Sequence, residues 1–466
     1  AGVYRPAQDD TFEAGAEGAV ADQPWWTTLD DPRLEALMDE GLGGNGDVAA
    51  AWDRAVQADA RAAQALAPML PSVSLDAGAN LAPFDSLGFS FGGFPEFELP
   101  EFPDIPGIEW PEVEEDTTED PDVYWTGQVM VNARVPLDVW GTAIPNHRAG
   151  RYDTLASEGD AEAQALATTT RIAQAYYDVV AAQQQLAIVE RQLETNRALL
   201  EITELRFEQS DATALDVLQQ RQQVASSESL LPQARQVQRT RAQQLAVLLG
   251  RPPGDDLGLD RAELPELGPL PATGRPIDLV DNRPDLRAAA AKLDAAHQRQ
   301  DGAIRAFLPS LALTGQAGVQ WNYFTEFDSQ ETWGAGVSMS LPVFEGTRRW
   351  HGVREAKAGQ DAAVHQYNQL VLTAVQQVEG ALVTEEEQRA QLEALRAQLD
   401  AATTAFDESR ARYAAGLTNY LTVLVALTTQ QQAELSVLQA ERALIDTRIQ
   451  LHESLGGRGT QTLSDS

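Results

Sequence analysis

The chain repeats itself. Arg206-Phe207 through Leu249-Gly250 lies on Arg412-Tyr413 through Leu455-Gly456 at a constant shift of 206, with Leu215/Leu421, Val217/Val423, Leu218/Leu424, Gln244/Gln450 and Leu245/Leu451 in register and no gap. A second shift, 238, carries Asp47–Leu75 onto Asp285–Leu313 and so brings Leu70-Pro71-Ser72 onto Leu308-Pro309-Ser310. Self-similarity over such stretches means that one structural plan must be satisfied twice. Each copy reads helix, strand, loop, strand, helix, helix, and the strand pairs close alike at Val135-Pro136-Leu137 and Leu341-Pro342-Val343.

Two periods run through each copy. Ile172, Val179, Leu186, Leu193, Leu200 and Phe207 recur every seven residues, the spacing of a coiled coil. The second copy gives Val378, Glu385, Leu392, Leu399, Phe406 and Tyr413, a stripe broken once, at Glu385. A helix from Ala149 to Arg206 would reach about 87 Å at about 1.5 Å per residue, deeper than any compact domain. A plain helical rod explains the heptads but gives the other period no role. Trp333, Ala335, Val337, Met339 and Leu341 alternate with glycines and serines, and Val129, Val131, Ala133 and Val135 with Gln128, Met130, Asn132 and Arg134. Looser alternation runs through Val73–Ala79 and Leu311–Trp321. Segments of about ten residues, apolar on one face and small or polar on the other, are the mark of transmembrane barrel strands. Four strands cannot close a barrel, and lipid tolerates no open sheet edge, so other copies of the chain must supply the rest.

Composition narrows the function. No window approaches the run of about 18 apolar residues that a membrane-spanning helix needs, and the Ala1–Pro6 start reads as one from which a signal peptide has been removed. The absence of cysteine rules out thiol catalysis, disulfides and cysteine metal sites. A net charge of −36, with Lys292 and Lys357 the only lysines, argues against nucleic acid as a partner. His147, His297, His351, His365 and His452 form no ligand pair at helical spacing and stand near no nucleophile pattern, and no glycine loop with a lysine is present, so neither an enzyme nor a cofactor is expected.

With its landmarks assembled, the sequence resembles the TolC-type outer-membrane efflux family, in particular the branch serving resistance-nodulation-division pumps. Those landmarks are Tyr4-Arg5-Pro6, Trp25-Trp26 with Leu29, Asp31-Pro32 and Leu34, Arg283-Pro284-Asp285-Leu286, Phe307-Leu308-Pro309-Ser310-Leu311, and the motifs that begin at Arg206-Phe207 and Arg412-Tyr413. The resemblance covers nearly the whole chain. It implies a mainly α fold with membrane β: a homotrimer whose four strands per subunit complete a twelve-stranded barrel in outer-membrane lipid, continued by a helical tunnel across the periplasm. The implied partners are a periplasmic adaptor protein and an inner-membrane pump, and the implied cargo is drugs, detergents, metal ions or secreted proteins. Many relatives carry a lipidated cysteine before the tyrosine-arginine-proline element; this chain has none.

The expected organisation is an N-terminal equatorial segment 1–46, a helix 47–71, a β-hairpin 72–140 with an extracellular loop 82–122, and a helical hairpin 145–249. A proline-rich equatorial linker 250–284 follows, then a helix 285–309, a β-hairpin 310–344, a helical hairpin 347–455 and a tail 456–466. Loop 82–122 holds thirteen acidic residues and no basic one among phenylalanines and prolines. It is either a solvated loop, a cover over the mouth or a divalent-cation binder.

Helix-to-helix turns are expected at Ser210–Thr213 (Ser210, Asp211, Ala212, Thr213) and Gly416–Asn419 (Gly416, Leu417, Thr418, Asn419), where the resemblance places the adaptor-contacting tips and the periplasmic gate. Gly416 suits a left-handed helix end, and Ser210 in the matching place predicts a differently shaped first turn. By family position Asp216 and Tyr413 would share a hydrogen bond that locks the tips; on its own, Asp216 is a carboxylate favoured by a helix N-terminus. Leu421 is either an apolar constriction on the threefold axis or a heptad core leucine. Val425 stands where relatives often place a pore aspartate, Thr428 where a basic partner is expected, and Thr418 where some have a linking arginine, so closure is expected to rest on apolar packing. A coiled-coil envelope scaffold that conducts nothing, and a protein-secretion channel, are the competing readings.

Overall fold

The computed structural model describes residues 2–7, 11–12, 15, 23–83, 123–259, 263–323 and 327–457. From residue 84 on, the acidic loop lies outside them, as does the tail from 458. The elements are α1 (Pro32–Gly44), α2 (Gly46–Gln64), β1 (Ser72–Pro83), β2 (Val123–Leu137), α3 (Ile144–Glu208), α4 (Ala214–Leu248), α5 (Leu279–Asn282), α6 (Pro284–Arg305), β3 (Ser310–Tyr323), β4 (Phe327–Ser340), α7 (Arg348–Ala414) and α8 (Tyr420–Ser454). They form two compact units, one of residues 1–62, 148–300 and 354–466, the other of 63–147 and 301–353. Among the described residues no helix is long and apolar enough to cross a membrane.

The second unit carries an antiparallel sheet in the order β1-β2-β3-β4. Its register pairs Leu75 with Val131, Val131 with Ala317 and Ala317 with Trp333, odd residues with odd residues throughout. Because side chains alternate along a strand, this one choice of register collects Val73, Leu75, Val129, Leu313, Val337 and Met339 on one face, all of them exposed. The other face collects serines, threonines, glutamines and glycines. There Asp76 accepts from Asn132 Nδ2 at 2.6 Å and from Ser74 Oγ at 3.1 Å. A slip of one residue would exchange the faces. Among the described residues the outer edges of β1 and β4 have no neighbouring strand.

The first unit is helical, and part of the heptad stripe enters its core: Ile172, Val179 and Leu193 of α3 and Val378, Leu392, Phe406 and Tyr413 of α7 are buried, while Leu186, Leu200 and Leu399 are half-buried and Phe207 is exposed. Asp31 caps α1 by accepting from the backbone of Arg33 and Leu34, with Pro32 at the first helical position, and it also takes the Tyr177 hydroxyl of α3 at 3.4 Å. The two helix ends repeat. Gly250 (φ +77°) follows α4 against Gly44, and Gly456 (φ +93°) follows α8 against Asn282, whose carbonyl oxygen a Cβ would approach to 2.7 Å. Gly44 and Asn282 are themselves equivalent under the shift of 238.

The broken stripe has a structural reason. Glu385 is fully buried and takes Arg448 on both oxygens, Nη2 at 2.5 Å and Nε at 3.0 Å, and Arg389 at 3.0 Å. The arginines then donate to the linker: Arg448 to the carbonyls of Pro269 (3.1 Å) and Gly268 (3.2 Å), Arg389 to that of Gly268 (2.8 Å). The first copy has Val179 and Ala242 at these places. The charge therefore marks where the inter-copy linker is tied to the second hairpin. One turn along α8, His452 stacks on Trp25 (5.6 Å between centroids) and lies 3.1 Å from the Thr28 hydroxyl. Burial, reinforced by Arg448 and opposed by Glu385, pushes its pKa down to about 4 from 6.5.

Two outcomes are expected from this unit. Arg448→Ala leaves the buried Glu385 carboxylate with Arg389 as its one remaining cation and costs up to about 3–5 kcal/mol, whereas Glu385→Val with Arg448→Ala, the pair found in the first copy, costs less than the single change; chemical denaturation measures both. His452 stays neutral in the fold while the unfolded chain takes up its proton below pH 6.5, so its contribution is complete above pH 6.5 and is lost as pH falls toward about 4. The loss is about 1.4 kcal/mol per pH unit. His452→Gln should flatten that slope in helical melts followed by circular dichroism, and equal slopes in both proteins would contradict it.

Candidate functional site

The tips of the two helical hairpins lie within the first unit. At the end of α3, Ser210 adopts φ +65°, and at the end of α7, Gly416 adopts φ +76°. In both, the left-handed residue bonds back three positions and the next residue five: Ser210 N to Phe207 O (3.0 Å) and Asp211 N to Arg206 O (2.8 Å), then Gly416 N to Tyr413 O (3.0 Å) and Leu417 N to Arg412 O (2.8 Å). These are the same helix-ending turn. The expected difference in shape is absent, since the 6→1 bond fixes the backbone and Ser210 bears the strain of a left-handed residue with a Cβ, of the order of 1 kcal/mol.

The next residues open the return helices. Thr213 and Asn419 are the N-caps of α4 and α8. Thr213 Oγ1 accepts from Asp216 N at 3.2 Å, and the Asp216 carboxylate accepts from Thr213 N at 2.9 Å, a reciprocal capping box. Asn419 Oδ1 accepts from both the backbone and the hydroxyl of Thr422, at 3.0 and 2.8 Å. Asp216 and Thr422, unlike in charge, thus support the same local geometry.

The hydrogen bond expected between Asp216 and Tyr413 is not made. Asp216 is held by its own helix start, and the buried Tyr413 hydroxyl has no hydrogen-bond partner. The Tyr413 ring instead lies under the Arg206 guanidinium, 4.4 Å from its centroid, and edge-on to Tyr420 at 6.2 Å. Beside the tips, a hydrogen bond between the two hairpins comes from Tyr420, whose hydroxyl donates to Gln220 Oε1 at 2.6 Å. Gln220 donates to Asn196 O at 2.7 Å, and Asn196 to Ser227 Oγ at 2.8 Å. All four side chains are buried, and desolvation pushes the Tyr420 phenol well above its usual range. Sequence reading missed this chain of donors, whose only mark is a glutamine and an asparagine on otherwise apolar helix faces.

The other candidate residues face outward. Leu421 is 58% exposed and Val425 56% exposed, so Leu421 is not part of the chain's own core, the second of its two readings. Thr428 turns its hydroxyl back to Leu424 O (3.0 Å) and Val425 O (3.1 Å). Leu417 is exposed at the turn, as are Asp211 and Asn419, while Ala212 and Thr418 are half-buried. Phe207, Leu215 and Leu218 add an apolar surface on the first hairpin. Among the described residues no cluster of histidine, aspartate and glutamate could hold a metal ion.

These contacts make opposite predictions for two tyrosines. Tyr420→Phe strands a buried amide oxygen and should cost about 1–3 kcal/mol; Tyr413→Phe removes a hydroxyl that bonds nothing and should leave stability unchanged. Chemical denaturation of the two variants distinguishes this arrangement from an Asp216–Tyr413 lock, which would give the reverse order.

Comparison with known proteins matches this geometry to one family. The model described as outer membrane efflux protein matches residues 37–251 and 277–457. The chain is similar to the pyoverdine export outer membrane protein OpmQ of Pseudomonas aeruginosa, 28% identical over 462 residues that cover 98% of this chain and 92% of that one. It is also similar to the probable efflux pump outer membrane protein TtgC of Pseudomonas putida, 26% identical with 98% and 88% covered. Among solved structures the outer-membrane channel OprN superimposes with a TM-score of 0.80 at 26% identity over 98% of both chains. The Campylobacter jejuni CmeC outer membrane channel gives 0.81 at 20% identity over 100% of this chain and 96% of that one, a likeness of fold. A TolC-like fold, four strands of barrel type and an internally duplicated helical unit agree with the family match: the chain belongs to the outer membrane efflux protein family.

Proposed function

We propose that this outer-membrane exit duct is built from three copies of the chain, whose four-stranded sheets close one barrel, and that it discharges small amphipathic molecules handed to it from the periplasm. The observation that carries the reading is the sheet. It presents one predominantly apolar face and one predominantly polar face, and among the described residues it leaves the outer edges of β1 and β4 unpaired. In lipid an unpaired backbone edge costs several kcal/mol per group, so the sheet is complete only with copies of itself. The polar face then lines the bore.

The tips Ser210–Thr213 and Gly416–Asn419 are the docking points for a periplasmic adaptor, which couples the duct to an inner-membrane pump of the resistance-nodulation-division type. Leu421 and Val425, exposed in the single chain, meet their copies around the axis and exclude water and ions when the tips are together. Asp216 and Tyr413 act at this gate indirectly, the first by fixing the turn of α4, the second as the surface on which Arg206 rests. The cargo follows the relatives, one of which is named for the export of pyoverdine and another for an efflux pump.

The test is purification in detergent followed by recording in planar bilayers. A heat-labile trimer that conducts, with resting conductance raised several-fold by Leu421→Ser, is the expected result. A monomer that needs no detergent and never conducts would instead identify a coiled-coil scaffold, and an unchanged Leu421→Ser channel would place the constriction elsewhere.

A further inference from the structure

Basic residues are missing from almost the whole sheet. None stands between Arg61 and Arg134 or between Arg305 and Arg348, stretches that hold all four strands except the end of β2. The arginines of the second unit, Arg134, Arg305, Arg348 and Arg349, therefore gather at the rim where strands pass into helices. The opposite rim has Asp328 and Glu331 instead. Three of the four arginines are placed by the fold. Arg305 donates to Gly141 O at 3.0 Å, Arg349 bonds Glu345 at 2.8 Å and the carbonyl of Ala306, and Arg134 lies on the polar face of the sheet. Arg348 is exposed, and its guanidinium makes no hydrogen bond or ion pair among the described residues. Glu345 feels the charge of both arginines but bonds Arg349 alone.

The two copies build this corner differently. The shift of 206 holds on both sides of it, carrying Val135-Pro136 onto Leu341-Pro342 and Arg148 onto Arg354. Between these it sets Asp138 against Phe344, Thr142 against Arg348 and Ile144 against Trp350. In the first copy the corner satisfies itself: Asp138 accepts from the Thr142 hydroxyl at 2.8 Å and from Ala143 N at 3.1 Å, just ahead of α3. In the second copy the capping carboxylate has become a phenylalanine that is 87% exposed, followed by the exposed Arg348 and Trp350. Giving up a cap costs about 1 kcal/mol, and a phenylalanine left in water returns none of it. The apolar face of β4 also runs on past its last paired residue, since Met339, Leu341 and Val343 keep the same alternation and are all exposed. An apolar face that ends in aromatic rings beside a cation has the composition of a boundary between lipid and water.

We propose that this corner holds an anionic glycerophospholipid of the periplasmic leaflet, its phosphate on Arg348 and its acyl chains against Val343, Phe344 and Trp350. The inference rests on the exit-duct reading, which puts the apolar face in lipid and the helical rim on the periplasmic side. A guanidinium meets phosphate oxygens through two parallel charge-assisted hydrogen bonds. One unpaired arginine at the surface favours a net-negative headgroup about fivefold, which is about 1 kcal/mol. Because the first copy spends its corner on a cap, each chain offers one such site. The opposite rim, with carboxylates in place of arginines, repels the same headgroup.

The test uses phosphatidylglycerol and phosphatidylcholine with identical acyl chains, which share a phosphate and differ in net charge. The detergent-purified protein is incubated with equal amounts of the two, passed through gel filtration, and its retained lipids are counted by native mass spectrometry. Wild type should retain phosphatidylglycerol about fivefold over phosphatidylcholine. Arg348→Gln, a change at an exposed side chain with no partner to lose, should bring the ratio to about one, and Arg134→Gln should leave it as in wild type. Equal retention by wild type, or an undiminished preference in Arg348→Gln, would overturn the inference while a conducting trimer left the duct reading standing. A preference lost in Arg134→Gln instead would place the headgroup on the polar face and overturn it as well. A conducting trimer that retains neither lipid would show the corner covered by a neighbouring copy, again overturning the inference alone. A protein that neither conducts nor retains lipid would overturn the duct reading and the inference with it.

Discussion

Everything in this molecule follows from the two backbone edges that its sheet leaves unpaired. In water an edge strand is hydrated; in lipid its amides and carbonyls have no partner but another strand. One chain contributes four strands and two edges, so its membrane part exists only as a fraction of a larger closed object. The odd-with-odd register is the second half of the same constraint: across all three ladders it gathers most of the large apolar side chains on one face and most of the polar ones on the other, with Ser329 and Glu331 near the start of β4 the polar exceptions on the apolar face.

The duplication solves the helical part with the same economy, but the copies are equal in backbone and unequal in side chain. Gly250 and Gly456 make the same turn against Gly44 and Asn282, and Ser210 and Gly416 end their helices with identical hydrogen bonds. Where the copies differ, the difference has a local cause. Val179 and Ala242 pack in one copy, while Glu385 and Arg448 clamp the linker that joins the copies in the other.

How far the residues alone foretold this depends on the range of each interaction. The strands, the heptads and the duplication are periodic signals summed over many residues, and they were legible down to which side chains share a face. The tip was harder. An aspartate three residues after a threonine at a helix start has a partner in its own backbone, and that short-range bond prevailed over the longer reach from Asp216 to Tyr413. Ser210 misled for the complementary reason: a turn closed by two backbone hydrogen bonds tolerates a residue that dislikes its dihedral angle. The Tyr420–Gln220–Asn196 chain was invisible because each member lies on a different helix, and nothing in one helix reports the register of another.

The central claim, that β1 and β4 find each other across subunits, is tested most directly by amide hydrogen exchange of the protein in lipid nanodiscs. Peptides from Ser72–Pro83 and Phe327–Ser340 should be as protected as those from Val123–Leu137 and Ser310–Tyr323, since closure gives every strand two neighbours. Fast exchange at alternate amides along β1 and β4, with β2 and β3 protected, would show an open sheet and contradict the account.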